Sequence, residues 1–292
     1  MAESEHTHCY RHTDRRAGVI CQRCDRVICP ECMNQASVGF HCPECTRTGA
    51  QRVIRGPALE FRPRVTQALI GLNVVGMLWG IAMGGSLGRI GFDALVDGSL
   101  IAHGVVREGV GVRVIGVDDG EWWRLVSGAF LHDGLLHLGS NMALLWILGT
   151  QLERLLGRVR FAAVYTVSLF AGALGGLIDH PTTPGVGASG AVLGLLGMAL
   201  VAQRASRGSN PWASGVGGLV VLVLLTTFLN PRVSVGGHIG GIIGGILAGL
   251  VVVEAIRRRW SDTVSVALLA LLGSGFIAAS LWAASIWSDP LF

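Results

Sequence analysis

The sequence predicts an all-α polytopic membrane protein preceded by a small cysteine-rich module. Hydrophobic residues make up 51% of the 292 positions and charged residues only 14%, and the mean hydropathy is +0.55. An ordinary soluble domain is much less apolar, so most of the chain is expected to lie in lipid. The cysteines mark a separate head, because all seven lie at or before Cys45.

The head, residues 1–45, carries cysteine and histidine in four pairs, each with two residues between its members. Eight ligands at this spacing suit two tetrahedral zinc sites. So short a module has little apolar core, and metal binding is expected to supply its folding free energy. Residues 1–30 are polar and show no signal peptide, so the head is expected in a reducing cytoplasm, where thiols bind metal. The pairs are Cys9 and His12, Cys21 and Cys24, Cys29 and Cys32, and Cys42 and Cys45.

These pairs resemble those of B-box-type zinc fingers, which bind two ions in a cross-brace. The resemblance implies that the first and third pairs share one zinc ion and that the second and fourth pairs share the other. His41 could replace Cys42 or Cys45 as a ligand, and the sequence leaves this alternative open. A regulatory protein is a candidate partner of this small zinc-binding module. The two implied ligand sets are Cys9, His12, Cys29 and Cys32, and Cys21, Cys24, Cys42 and Cys45.

A basic juxtamembrane linker, residues 46–65, holds five arginines against one acid, Glu60. Seven apolar segments follow the linker, and each is about long enough to cross a hydrocarbon core of roughly 30 Å. A long insertion, residues 84–133, separates the first two segments, and its run Trp122-Trp123-Arg124 suits a segment at the membrane interface. The approximate bounds of the seven segments are 66–83, 134–150, 159–178, 187–203, 213–229, 236–256 and 264–287.

The distribution of arginine predicts the orientation. With the N-terminus in the cytoplasm, the inner loops hold eight arginines and the short outer connections hold only Arg232, and the C-terminus lies outside. All basic residues are arginine, which is typical of a high-GC genome, so a bacterial plasma membrane is expected. The net charge of +4 does not indicate a nucleic-acid partner, because the arginines lie next to membrane segments.

Four polar residues are expected at one depth near the outer face. His137 and Asn141 are spaced i, i+4 at the start of the second segment, Ser189 lies near the start of the fourth, and His238 opens the sixth. All three segments run from outside to inside. Ionisable residues within a membrane protein are functional candidates. Glycine recurs every four residues from Gly237, and such a face lets two helices meet closely.

The chemistry that fits these residues is nucleophilic acyl transfer. Ser189 would attack a carbonyl after His238 takes its proton. His137, the Asn141 amide and the Ser189 backbone N–H would bind the oxyanion. No carboxylate is expected within the spans at this depth, so a Ser–His dyad without a third acid or cofactor is predicted, with helix packing orienting the histidine. Three other residues, His103, Asp179 and His180, are expected to be solvated.

The chain resembles the rhomboid family of intramembrane serine proteases over about residues 64–256. The resemblance implies a six-helix protease core at 66–256 and an additional C-terminal transmembrane helix at 257–292. It implies Ser189 as nucleophile, His238 as general base, and His137 and Asn141 as oxyanion donors. Leu193 departs from the family, which often has an aromatic residue there. The matching motifs are Glu121-Trp122-Trp123-Arg124, His132, His137-x-x-x-Asn141, Gly187-Ala188-Ser189-Gly190 and His238-x-Gly-Gly-x-x-Gly-Gly.

The resemblance also implies the substrate: a transmembrane segment of a membrane-anchored protein, with helix-destabilising residues and a small residue at the cut. Two other functions are considered. A rhomboid-like pseudoprotease would bind transmembrane clients without cutting, but such proteins usually lack the serine or the histidine. A transporter or scaffold would use the polar layer for a solute, but the spans are uninterrupted and the layer lacks acids.

Overall fold

The structure, a computed structural model, describes residues 8–48, 61–206, 215, 218, 219, 221 and 233–287. The chain divides into two compact units, Met1–Glu60 and Phe61–Phe292. The division falls inside the predicted linker. Nearly all of the predicted fifth span, 213–229, lies outside the described residues.

The first unit is built on two short antiparallel hairpins and one helix. Its apolar interior is small, because Ile28 is the one fully buried aliphatic side chain among buried cysteines in the described part of this unit. A core of this size gives little hydrophobic stabilisation. Its elements are β1 (Val19–Ile20) paired with β2 (Val27–Ile28), a 3-10 turn (Pro30–Cys32), β3 (Asn34–Gln35) paired with β4 (Phe40–His41), and α1 (Pro43–Thr48).

The second unit is mostly helical, and the prediction of an all-α polytopic membrane protein is confirmed. Four described helices are long and apolar enough to cross a membrane, Arg64–Ala82, Arg158–Asp179, Val235–Arg257 and Asp262–Ser285, whereas the apolar helix Ser189–Ala205 has 17 residues. The six long helices overlap six of the seven predicted spans. They are α2 (Arg64–Ala82), α5 (Leu135–Leu156), α6 (Arg158–Asp179), α7 (Ser189–Ala205), α8 (Val235–Arg257) and α9 (Asp262–Ser285).

Helix α7 lies at the centre of this unit. Every residue from Ala191 to Ala199 is buried, and α6 and α8 pack against it. The outer helices α2 and α9 instead expose large apolar side chains, among them Leu78 and Leu271. Exposed apolar faces of this kind suit contact with lipid.

The insertion between α2 and α5 is folded. A short helix and a hairpin are followed by a single helical turn that carries Arg124. Trp122 and Trp123 are exposed, and their rings meet edge to face at 6.4 Å. The elements are α3 (Phe92–Gly98), β5 (Gly104–Glu108) paired with β6 (Gly111–Ile115), α4 (Arg124–Ser127) and a 3-10 turn (Gly128–Phe130).

Candidate active site and metal-binding clusters

The loop before Ser189 is held by backbone hydrogen bonds to the insertion. The N–H of Gly187 donates to the carbonyl of Gly128 at 2.9 Å, and Leu100 and Gly185 exchange two hydrogen bonds of 2.9 and 2.8 Å. Helix α7 begins at the half-buried Ser189 itself. The N–H groups of a first helical turn have no acceptor within the helix, so that of Ser189 can serve a ligand.

His137 lies against the loop that carries the serine. A Cβ added to Gly187 would lie 2.8 Å from both Cε1 and Nε2 of His137 and 3.9 Å from the Oγ of Ser189. Only glycine therefore fits there, and its φ of +123° is also in the region that favours glycine. The imidazole of His137 meets that of buried His132 edge to face, with ring centroids 5.0 Å apart.

Asn141 lies one turn after His137 on the same face of α5, as the i, i+4 spacing predicts. Its residue is buried, and its Nδ2 donates to the carbonyl oxygen of His137 at 2.9 Å. A primary amide has two N–H groups, so this bond fixes the side chain and leaves a second donor for another acceptor.

His238 lies in the first turn of α8, and glycines bring that turn against the start of α7. A Cβ on Gly190 would lie 3.2 Å from the carbonyl oxygen of Gly237, and one on Gly241 would lie 2.0 Å from the carbonyl oxygen of Gly190. The residue after Ser189 is therefore in contact with the residue before His238. The predicted glycine face brings the two helices together at the level of the candidate residues.

Asp179 is exposed, as the sequence predicts, but it is also hydrogen-bonded to the start of α8. It is the last residue of α6, and its Oδ2 accepts hydrogen bonds from the N–H of Gly236 at 2.8 Å and from the hydroxyl of Ser234 at 3.3 Å. Ser234 in turn caps α8 by accepting from the N–H of Gly237 at 3.0 Å. A carboxylate thus lies at the start of the helix that carries His238, one residue beyond the end of the predicted third span. Serine before a helix is a readable cap signal, but its partner 55 positions earlier is not.

Glu121 and Arg124 of the Trp-Trp-Arg motif form a buried ion pair. Nε of Arg124 donates to Glu121 at 2.6 Å, and its terminal nitrogens donate to the carbonyls of Ser99 and Val96 at 3.0 and 2.6 Å. Burial alone would raise the pKa of Glu121, but hydrogen bonds from the Gly116 N–H and from Arg124 lower it below its ordinary value. This network fixes the insertion internally.

His103, also expected to be solvated, is paired. Its Nδ1 lies 2.6 Å from Oδ2 of Asp118, whose side chain is 4% exposed. The pair joins the two ends of the β5–β6 hairpin region and lies outside the set of residues around Ser189.

The candidate metal ligands of the head lie in two groups, and within each group the potential ligand atoms lie within 4.8 Å of one another. The Sγ atoms of Cys24 and Cys42 are 3.8 Å apart, which is about the edge of a tetrahedron with Zn–S bonds of about 2.3 Å. Burial would raise the pKa of Cys21, but the backbone N–H groups of Cys42, Arg23 and Cys24 lower it to about 6. The groups are Cys9, His12, Cys29 and Cys32, and Cys21, Cys24, Cys42 and Cys45.

These are the two sets that the B-box resemblance implies. His41 belongs to neither group among the described residues, and lies in β4 opposite Asn34. The donor sets fit a metal ion of tetrahedral preference with sulfur and nitrogen ligands.

Comparison with known proteins shows which family the second unit resembles. A family model described as the Rhomboid domain matches residues 119–255. The putative rhomboid protease YdcA of Bacillus subtilis (strain 168) is 35% identical over 167 residues, which cover 56% of this chain and 84% of that protein. The rhomboid protease GluP of the same organism is 34% identical over 108 residues, or 37% of this chain and 21% of GluP. RHOMBOID-like protein 5 of Arabidopsis thaliana is 36% identical over 122 residues, or 39% and 38% of the two chains.

The match to YdcA covers most of that relative, and the matched rhomboid domain spans both the start of α7 and the start of α8. The described helices supply the membrane-spanning framework that such a domain requires. The chain therefore belongs to the rhomboid family, and it is a multi-pass membrane hydrolase of the intramembrane serine protease type.

Proposed function

We propose that this protein cleaves transmembrane segments of membrane-anchored proteins with a Ser189–His238 dyad. His238 takes the proton of the Ser189 hydroxyl, and the serine oxygen attacks the scissile carbonyl to form a tetrahedral intermediate. His238 then gives the proton to the leaving amine. Water releases the acyl group by the same two steps, so the hydroxyl of Ser189 is regenerated.

Three donors bind the developing oxyanion in this proposal. The Ser189 N–H opens α7, where the positive end of the helix dipole adds to its effect. The ring of His137 packs against Gly187, two residues before the serine. Asn141 supplies the amide N–H that does not bind the His137 carbonyl. The observation that carries the proposal is the backbone contact of Gly190 with Gly237, which brings the first turns of α7 and α8 together.

The proposal extends to the rest of the chain. Residues 1–45 form a module that holds two structural zinc ions and a regulatory partner, 46–65 a linker, 66–256 the protease core and 257–292 the added helix. In this proposal the protein lies in a bacterial plasma membrane, and the arginine asymmetry supports a cytoplasmic head, an outer C-terminus and a dyad near the outer face. Reporter fusions at Gly49 and Phe292 should therefore report opposite sides of the membrane.

A serine-directed fluorophosphonate probe tests the dyad on the full chain in detergent or liposomes. Ser189→Ala and His238→Ala should each abolish labelling and cleavage of a transmembrane substrate, while insertion and thermal stability are kept. Asn141→Ala should lower turnover more than substrate binding, by less than the hundred- to thousandfold typical of a lost oxyanion donor, because two donors remain.

Ser285→Ala is the matched control for the serine, because Ser285 lies at the end of α9, which carries no candidate residue, and its hydroxyl donates to the carbonyl of Trp282 at 2.7 Å. This variant should label like the parent. If Ser189→Ala still cleaves, or if the parent binds transmembrane clients without labelling or cleavage, the dyad is wrong and a client-binding role replaces it.

A further inference from the structure

We propose that Asp179, acting with Ser234, is a positioning residue that sets the catalytic base His238 through the backbone of α8. The inference rests on the proposed function, because it assigns a role in the same dyad. In a catalytic triad the third acid binds the imidazole of the base, whereas here the Asp179 carboxylate binds the backbone at the start of the helix that carries the base.

The sequence at the start of α8 leaves its first turn with few side chains to fix it. Val235, Gly236 and Gly237 precede His238, and two glycines offer the backbone the widest conformational freedom. The position of His238 along and around the axis of α8 must therefore be fixed by contacts of the backbone.

Asp179 and Ser234 supply those contacts. The first N–H groups of a helix have no acceptor within it. Here the N–H of Gly236 donates to Asp179 at 2.8 Å, and that of Gly237 donates to the Ser234 hydroxyl at 3.0 Å. The same hydroxyl donates to Asp179 at 3.3 Å, so one carboxylate ties the cap and the first turn together.

Close packing against α6 also fixes where the first turn of α8 lies. A Cβ on Gly236 would lie 2.3 Å from the carbonyl oxygen of Gly175 and 2.4 Å from Cβ of Asp179. The first turn of α8 thus lies directly on the last turn of α6. A negative carboxylate at a helix N-terminus also interacts favourably with the helix dipole. His180 adds its Nδ1 at 2.9 Å from the same carboxylate, on the side of the loop.

The test compares Asp179→Ala, Asp179→Asn and Ser234→Ala in the full chain. Asp179→Ala should lower kcat at least tenfold with KM within about twofold, and should slow fluorophosphonate labelling of Ser189 by a similar factor. Asp179→Asn should recover most of the rate, because the amide oxygen can still accept from Gly236. Ser234→Ala should act in the same direction with a smaller effect.

Ser261→Ala is the matched control, because Ser261 caps α9 by accepting from the N–H of Val264 at 3.3 Å and that helix carries no candidate residue. It should cost similar thermal stability but leave the labelling rate unchanged. The proposal is overturned if Asp179→Ala and Ser234→Ala label at the parental rate, or if Ser261→Ala slows labelling equally. Failure of the dyad itself is separate, since it would appear as cleavage by Ser189→Ala.

Discussion

At the scale of single residues, the buried charges Glu121, Arg124 and Glu153 in the described part of the membrane unit all have hydrogen-bond partners. Arg124 is completely buried, and its guanidinium reaches one carboxylate and two backbone carbonyls. Removing one member of such a pair costs far more than the pair contributes, because it leaves an uncompensated charge. The Trp-Trp-Arg motif is thus a clamp on the insertion, and the insertion in turn holds the loop before Ser189.

Glu121→Gln tests this clamp. The variant should lose on the order of 3 kcal/mol of stability, since Glu121 is the anionic partner of Arg124 among the described residues. The pKa of Glu121 is lowered in the fold, so its contribution is present above its unfolded pKa of about 4.3 and is lost as the pH falls through the folded pKa. The unfolding temperature of the full chain should therefore fall steeply between pH 7 and pH 3 for the parent and less steeply for Glu121→Gln.

Glu108→Gln is the control for this measurement. Both Glu121 and Glu108 lie 3.3 Å from Arg113, but the side chain of Glu108 is 57% exposed. Exposed pairs of this kind contribute little. The control should follow the parental pH profile, and an equal flattening in both variants would contradict the role assigned to Glu121.

At the scale of elements, α8 is the helix on which the proposed site depends. Glycines on two of its faces let it touch α6 and α7 backbone to backbone. The repeat from Gly237 to Gly249 was readable in the sequence, and it predicted a close partner. The sequence did not reveal that Gly236, Gly240 and Gly244 form a second face toward α6, because a run so rich in glycine gives no single period.

Gly241→Ala tests the contact between α7 and α8. The new Cβ would lie 2.0 Å from the carbonyl oxygen of Gly190, so the helices must separate. Overpacking of this kind costs roughly 1–3 kcal/mol, and a small shift between the two first turns is enough to lower the rate. We expect labelling of Ser189 to slow more than tenfold.

Gly275→Ala in α9 provides the comparison. Its Cβ would meet nothing within 4 Å, so alanine should be neutral or should stabilise the helix by up to about 1 kcal/mol. Labelling should stay at the parental rate. Parental labelling in Gly241→Ala as well would show that the glycine face does not set the distance between the two helix starts.

At the scale of the whole molecule, the sequence predicted a membrane protein of apolar helices and two groups of metal-ligand residues, whereas the roles of the candidate site residues stay predictions. Composition and the lengths of apolar runs specify helices in lipid, and cysteine spacing specifies ligand groups, because both are local signals. Asp179 and its partner Ser234 could not be predicted together, since a hydrogen bond between the ends of two helices depends on how the helices pack. Likewise, α5 continues to Leu156, beyond the predicted end at 150, because polar side chains such as that of Glu153 find buried partners in α2.

The two units should also differ in their need for metal. The head has almost no apolar core, so its stability should depend on ions in its two ligand groups, whereas the proposed dyad uses no metal. We expect two zinc ions per chain. A strong chelator should make residues 9–45 sensitive to protease and should leave cleavage of a model transmembrane substrate intact.

His12→Ala and His41→Ala compare a candidate zinc ligand with a histidine that belongs to neither ligand group. Nδ1 of His12 lies 3.3 and 3.4 Å from the Sγ atoms of Cys29 and Cys32, so its loss leaves three ligands in that group. His41 lies outside both groups among the described residues. Zinc measured by metal analysis should fall from two ions to about one in His12→Ala and stay at two in His41→Ala. Equal loss of zinc in both variants would contradict the assigned ligands. In the chelator experiment, loss of proteolysis while the membrane helices stay intact would show that the head takes part in catalysis.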